Sequence, residues 1–177
     1  SLTEHIGVEA IMEYVLKRYI AVVTDVVYAN EGMVDKVMGD GILAVFGVPL
    51  SQEDAPQRAL STAMVLSRAL SMLREGWLRD LNQDITVGMG MSWGEVIAGN
   101  IGSGPRVDYT VIGDPVNLAA RLASVAASGE VLISQALAEA AGGDGPEWRL
   151  EALSPVLIKG KEQLQHIYRA IPTWPTI

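Results

Sequence analysis

The chain is predicted to fold as an α+β sandwich with helices on one side of a mostly antiparallel sheet. Three observations predict it. Two long segments repeat apolar residues at three- and four-residue steps, short β-rich runs lie between and after them, and several of those runs come in pairs around Gly-containing turns. In the first long segment Val8, Ile11, Val15, Leu16, Tyr19, Val22, Val23 and Val26 share one helical face, and Asn30-Glu31-Gly32 ends it. The runs VDKVM and GILAVF follow around Gly39-Asp40, which reads as a β-hairpin with a carboxylate at its tip. A second long helix is expected from Glu53 to Leu81, burying Ala59, Ala63, Leu66, Leu70 and Leu73. Ile85–Met91 reads as a Gly-rich strand, and Glu95–Ile101 as part of a hairpin that turns at Gly102–Arg106 into Tyr109–Ile112. Asp114-Pro115 starts a short helix. A strand at Val131–Ser134, a small helix and two terminal strands flanking Gly160 complete the order, with no internal repeat or low-complexity linker.

Composition narrows the function classes. A chain of 177 residues fits one domain with a core of its own, here 1–177. It contains no Cys, so neither a disulfide framework nor thiolate chemistry is available. The 13 Lys and Arg against 21 Asp and Glu give a formal net charge of −8, which lacks the basic footprint of a nucleic-acid surface. A nucleoside triphosphate remains compatible, because a few focused cations and a metal ion can reverse the local field. There is no apolar stretch near 18 residues and no signal-peptide pattern at Ser1, so the segment is expected to be soluble and cytoplasmic, with membrane tethering of a longer polypeptide left open.

Three residues invite a chemical reading of their own. Asp40 on its Gly-flanked turn lets a bulky charged ligand approach the backbone, and carboxylate oxygens suit Mg²⁺ bridging to phosphates. Asn117 and Arg121, four apart, project an amide and a guanidinium from one helix face. Either feature alone is ordinary: Gly-Asp turns are mostly solvated corners, and Asn and Arg mostly decorate wet faces. His5 and His166 are isolated and receive no role; the Met residues and Trp77 read as core or partner surface.

In combination and in order, DKVMGDG, GMSWGEVIAGNIGS, DYTVIGDPVNLAARL and LIKGKEQ closely resemble the class III adenylate and guanylate cyclase catalytic domain, from about Ser1 to about Pro172. The resemblance implies a ferredoxin-like αβ sandwich and cyclisation of a nucleoside triphosphate by attack of the ribose 3′-hydroxyl on the α-phosphate. It implies two Mg²⁺ or Mn²⁺ ions per site, with Asp40 as one of their two carboxylates. The other belongs to a first strand that precedes the segment beginning SLTE, and is expected upstream of Ser1. Asp25 could be proposed as a substitute, but its place on the long helix points to solvent. Arg121 resembles the arginine that neutralises charge on the α-phosphate, and Asn117 the asparagine that orients the ribose. Lys36 and Thr110 resemble the pair that reads adenine, and Lys159 the lysine that holds the β- and γ-phosphates, with Lys161 as its alternative. Lys with Thr implies ATP and a bacterial subgroup often stimulated by bicarbonate. Trp93 stands where relatives commonly carry a small hydroxyl residue.

The resemblance further implies a homodimer with shared sites, since the metal carboxylates come from one subunit and the base-reading pair, Asn and Arg from the other. Regulatory or sensor domains in a longer signalling polypeptide are implied as well. An adenylate cyclase is therefore the expectation. Two alternatives stand beside it: a guanylate cyclase, disfavoured by Lys36, and a catalytically silent cyclase-like domain used for dimerisation or nucleotide sensing.

Overall fold

The computed structural model describes residues 7–174, so His5 lies outside the described residues. Helix α1 (Val8–Ala29) buries Val15, Val23 and Val27. It stops where the Asn30 side-chain amide donates to the Val26 carbonyl at 2.8 Å and Glu31 takes a φ of 60°. A β-carbon on the buried Gly32 would come within 2.6 Å of the Phe46 ring and 2.9 Å of Val27, so the chain turns tightly under α1. Strands β1 (Met33–Met38) and β2 (Gly41–Val45) then pair as the expected antiparallel hairpin.

Helix α2 (Ala55–Leu81) begins two residues later than the sequence suggests, after Asp54 with Pro56 in its first turn, and ends at Asn82 in the left-handed conformation. Strand β3 (Met89–Met91) is shorter than the expected Ile85–Met91. Its one ladder, to β6 (Val131–Ser134), is parallel and covers only three residues; 85–88 have no strand partner among the described residues. Strands β4 (Ile97–Ser103) and β5 (Arg106–Ile112) form a hairpin sheet of their own. Helix α3 (Asp114–Val125) follows, then β6, helix α4 (Gln135–Ala141), β7 (Trp148–Ala152), β8 (Val156–Leu157), β9 (Leu164–Gln165) and β10 (Ile167–Pro172). Four strands follow α4 where the sequence suggests two: the pair β8–β9 flanks Gly160 as expected, and β7 and β10 lie outside that pair.

The central sheet runs β3-β6-β10-β7, antiparallel except at β3–β6. It is covered on both faces, not on one. Val131 and Ile133 pack with Leu60, Ala63 and Met64 of α2 and Leu137 of α4, while Leu132 between them packs with Leu122 of α3. Successive side chains of a strand point to opposite faces, and all four β6 residues are buried. Arg169 on β10 clamps this sheet by donating to Glu130 at 2.6 Å and to Glu151 at 3.1 Å. Burial pushes the Glu130 carboxyl up, but the Ala127 amide and Arg169 outweigh it and hold the group below its ordinary value.

Among the described residues the β1–β2 hairpin shares no ladder with the central sheet. Instead α1 and α2 bridge them, through Val23, Val27, Leu66 and Leu70 packed on Val34, Ile42 and Ala44 at one end and Val87 and Met89 at the other. Helix α3 lies so close on β3 that a β-carbon on Gly90 would collide with the backbone at Ala119 and Ala123 and sit 2.8 Å from the Leu122 carbonyl carbon. That approach fixes where α3 presents its side chains. No helix among the described residues is long and apolar enough to cross a membrane.

Candidate active site

Lys36 and Thr110 lie 74 residues apart, on β1 and β5, yet the Lys36 ammonium donates a hydrogen bond to Thr110 Oγ1. Thr110 is buried and Lys36 half-buried, so the pair forms a polar spot with restricted access to water. A lysine offers only donors; a threonine oxygen keeps a second lone pair after accepting from Lys36. The spot can therefore offer a donor and an acceptor side by side to the edge of a flat heterocycle.

Asn117 and Arg121 project from α3, Asn117 exposed and Arg121 half-buried. The Arg121 guanidinium lies on Gly160: a β-carbon there would be 3.0 Å from Nη2, 3.1 Å from Cζ and closer still to Nη1. On the other side of that glycine Lys161 pairs with Asp114, in the first turn of α3. The Lys159-Gly160-Lys161 turn is thus docked along α3, and it brings the exposed Lys159 next to the seat of Arg121. Because Lys161 is engaged by Asp114, Lys159 is the better placed of the two lysines to meet a ligand.

Asp40 is exposed at the β1–β2 tip, after Gly39 at a φ of 61°. The Tyr19 phenol on α1 is pushed up by burial and then by the Asp40 charge, so the tip carries a negative field. Among the described residues no group of three His, Asp or Glu could hold a metal ion, and Asp40 is joined by hydrogen bond or ion pair to neither cluster of cations. Asp25 is exposed on α1, as its spacing suggested. Trp93 lines a shallow cavity with Glu95, Asp114, Pro115 and Leu118; nothing in the structure explains the tryptophan.

Two contributors escaped the sequence reading. The sequence marks Gly160 as a turn, and a glycine between two lysines is the one local signal that something packs there. Asp35 reads in the sequence as an ordinary strand residue; its side chain is 1% exposed, and its Oδ2 lies 3.8 Å from Lys36 Nζ.

The Gly160 seat gives a direct expectation. Gly160→Ala forces the tip of a flexible arginine to move, so it should cost little more than the roughly 1–2 kcal/mol of a left-handed alanine. Turnover should nonetheless fall at least about tenfold through misplacement of Arg121. Gly143→Ala is the control: φ there is 84° and a β-carbon meets nothing within 4 Å, so steady-state kinetics should stay unchanged while stability drops similarly.

Comparison with known proteins identifies the family and the fold. Residues 7–169 match the model of the adenylate and guanylate cyclase catalytic domain. The chain is similar to the guanylyl cyclase Cya2, at 33% identity and a TM-score of 0.81 over 95% of this chain and 83% of that one. It is also similar to the adenylyl cyclase CyaB from P. aeruginosa, at 28% identity and a TM-score of 0.85 over 96% and 86%. An uncharacterised protein of Mycobacterium tuberculosis is 34% identical over 165 residues, 92% of this chain and 27% of its own length. The chain thus spans about a quarter of the length of the curated relatives it matches. With the fold, the Lys36–Thr110 pair and the α3 cluster in place, the family match over 7–169 shows that the chain belongs to the class III adenylate and guanylate cyclase catalytic domains.

Proposed function

We propose that this domain converts ATP to 3′,5′-cyclic AMP and pyrophosphate, in a homodimer whose two sites draw on both chains. The observation that carries the choice of ATP is the contact between Lys36 and Thr110. The adenine ring edge presents an acceptor nitrogen beside an exocyclic amino group, which match a lysine donor and a threonine oxygen. Guanine presents a ring N–H and a carbonyl there, so an N–H would face an ammonium and leave buried polar groups unpaired.

In the reaction the ribose 3′-oxygen bonds to the α-phosphorus, the bond from that phosphorus to the bridging oxygen of the β-phosphate breaks, and pyrophosphate leaves; the hydroxyl proton passes to solvent. Little covalent work falls to the protein, so positioning and charge neutralisation dominate. Asn117 orients the ribose. Arg121, with its guanidinium seated on Gly160, neutralises charge growing on the α-phosphate, a task suited to a planar fork of donors. Lys159 meets the β- and γ-phosphates. Asp40, an exposed oxygen donor on a tight turn, fits Mg²⁺ or Mn²⁺ as one ligand of a larger set. When bound, such ions supply activation of the hydroxyl and neutralisation of phosphate charge. The second carboxylate of that set is assigned to the first strand that the family resemblance implies, which is not among the described residues. That the β1–β2 hairpin and the central sheet hydrogen-bond separately supports a strand between them.

In a homodimer a symmetric pair can present the carboxylate of one chain to the cations of the other, which fits an Asp40 that pairs with none of the α3 cations among the described residues. The guanylyl cyclase Cya2, at 33% identity, keeps a second reading open, in which GTP is the substrate. Chromatography of products from the intact polypeptide with ATP or GTP, and Mg²⁺ or Mn²⁺, decides between them. Cyclic AMP formed in preference to cyclic GMP is the expected result. Cyclic GMP alone would transfer the assignment to GTP, and no cyclic nucleotide with either metal would end the catalytic reading.

A further inference from the structure

Asp35 is a buried carboxylate whose two oxygens have no hydrogen-bond partner among the described residues. Few groups are costlier to bury, and such a cost persists where the charge serves a ligand. Its neighbour in sequence is Lys36. In a regular strand the two side chains would point to opposite faces of the sheet. Here the register shifts between Val34, opposite Ala44, and Lys36, opposite Leu43, so that Asp35 is the extra residue of a bulge. Bulges re-aim side chains and occur beside active sites. This one places Asp35 Oδ2 3.8 Å from the Lys36 ammonium.

We propose that Asp35 is a positioning residue for base selection, holding the Lys36 ammonium against Thr110 by its countercharge. The inference rests on Lys36 as the base reader. The distance matters: 3.8 Å is ion-pair range but too long for a hydrogen bond, so Asp35 consumes none of the three ammonium protons. One proton goes to Thr110, and the others remain for the ring. The carboxylate also compensates the ammonium when a bound base shuts out water, which would otherwise oppose binding. With its side chain 1% exposed, Asp35 presents nothing to a nucleotide, so its effect passes through Lys36.

The test is Asp35→Asn in the intact polypeptide, which keeps shape and removes charge, with Lys36→Gln and the double variant alongside. The readouts are kcat/KM for ATP and for GTP, and the melting temperature. Asp35→Asn should melt within a few degrees of wild type, since the desolvation cost of a buried carboxylate and its attraction to Lys36 are lost together, while the ATP to GTP ratio falls roughly three- to tenfold. Adding Asp35→Asn to Lys36→Gln should lower the ratio no further. An unchanged ratio in Asp35→Asn, or equal losses for both nucleotides with a lower melting temperature, would overturn the proposal. If the ratio is unaltered in Lys36→Gln, the base-reading assignment fails and this inference falls with it. If it is altered there but not in Asp35→Asn, the inference alone fails.

Discussion

Alanine at Arg121, or alanine at Asp40, is expected to lower turnover about 100- to 1000-fold, the scale for removing one preorganised group aimed at developing charge. The two losses have different origins. Arg121 offers a fork of donors whose position is set by Gly160 beneath it and by the closeness of α3 to β3, so its removal takes away stabilisation that was already aligned. Asp40 is an exposed oxygen donor at a hairpin tip, and its removal takes away an anchor for divalent ions. Neither change should unfold the protein, because Asp40 is exposed and Arg121 only half-buried. Thermal melts within a few degrees of wild type, with kcat depressed and KM for the nucleotide less affected, are the expected pattern. Full turnover in either variant would remove that residue from the site.

A second large effect is expected at Gly90. Its missing side chain is what lets α3 rest on β3, and a β-carbon there would strike helix backbone at Ala119, Leu122 and Ala123, none of which can swing aside. Gly90→Ala should therefore destabilise by about 3 kcal/mol, the upper end of overpacking costs. For a domain of this size that lowers the melting temperature by roughly 6–12 °C. Activity should fall more than stability explains, since any retreat of α3 carries Asn117 and Arg121 with it. A melt indistinguishable from wild type would show that the helix–strand approach is looser than described.

How much of this was legible in the sequence depended on whether the signal was local. The Gly39-Asp40 hairpin, α1 and the start of α3 at Asp114-Pro115 were readable because turn chemistry and helical spacing act within a few residues. Asn117 and Arg121 four apart belonged to the same class. Lys36 with Thr110 did not: 74 residues separate them, and only the resemblance to a family joined them before the structure showed the contact. Asp35 was beyond reach for another reason. Strand periodicity assigns it to the face opposite Lys36, and a bulge carries no signature in VDKVM.

The shortfalls in the fold are equally physical. Residues 85–88 have strand-like composition, but a strand is defined by its ladder, and only Met89–Met91 have a partner. Strand β7, WRLEA, mixes charge and bulk without clear alternation; the structure shows why it forms, since Trp148 packs into the α2–β6 core and every residue pairs with β10. That helices cover both faces of the central sheet was foreshadowed by Val131-Leu132-Ile133, a continuous apolar run of the kind that two-sided burial requires.

The shared-site cyclase is tested most directly by mixing Asp40→Ala protein with Arg121→Ala protein and measuring cyclic AMP formed from ATP. In a mixed dimer one site receives both defects and the other receives neither, so activity should appear that neither variant has alone. Random exchange makes half of the dimers mixed, each with one intact site of two, which predicts recovery to roughly a quarter of wild-type turnover. A mixed dimer demonstrated by differential tags, yet no more active than its parents, would contradict the account.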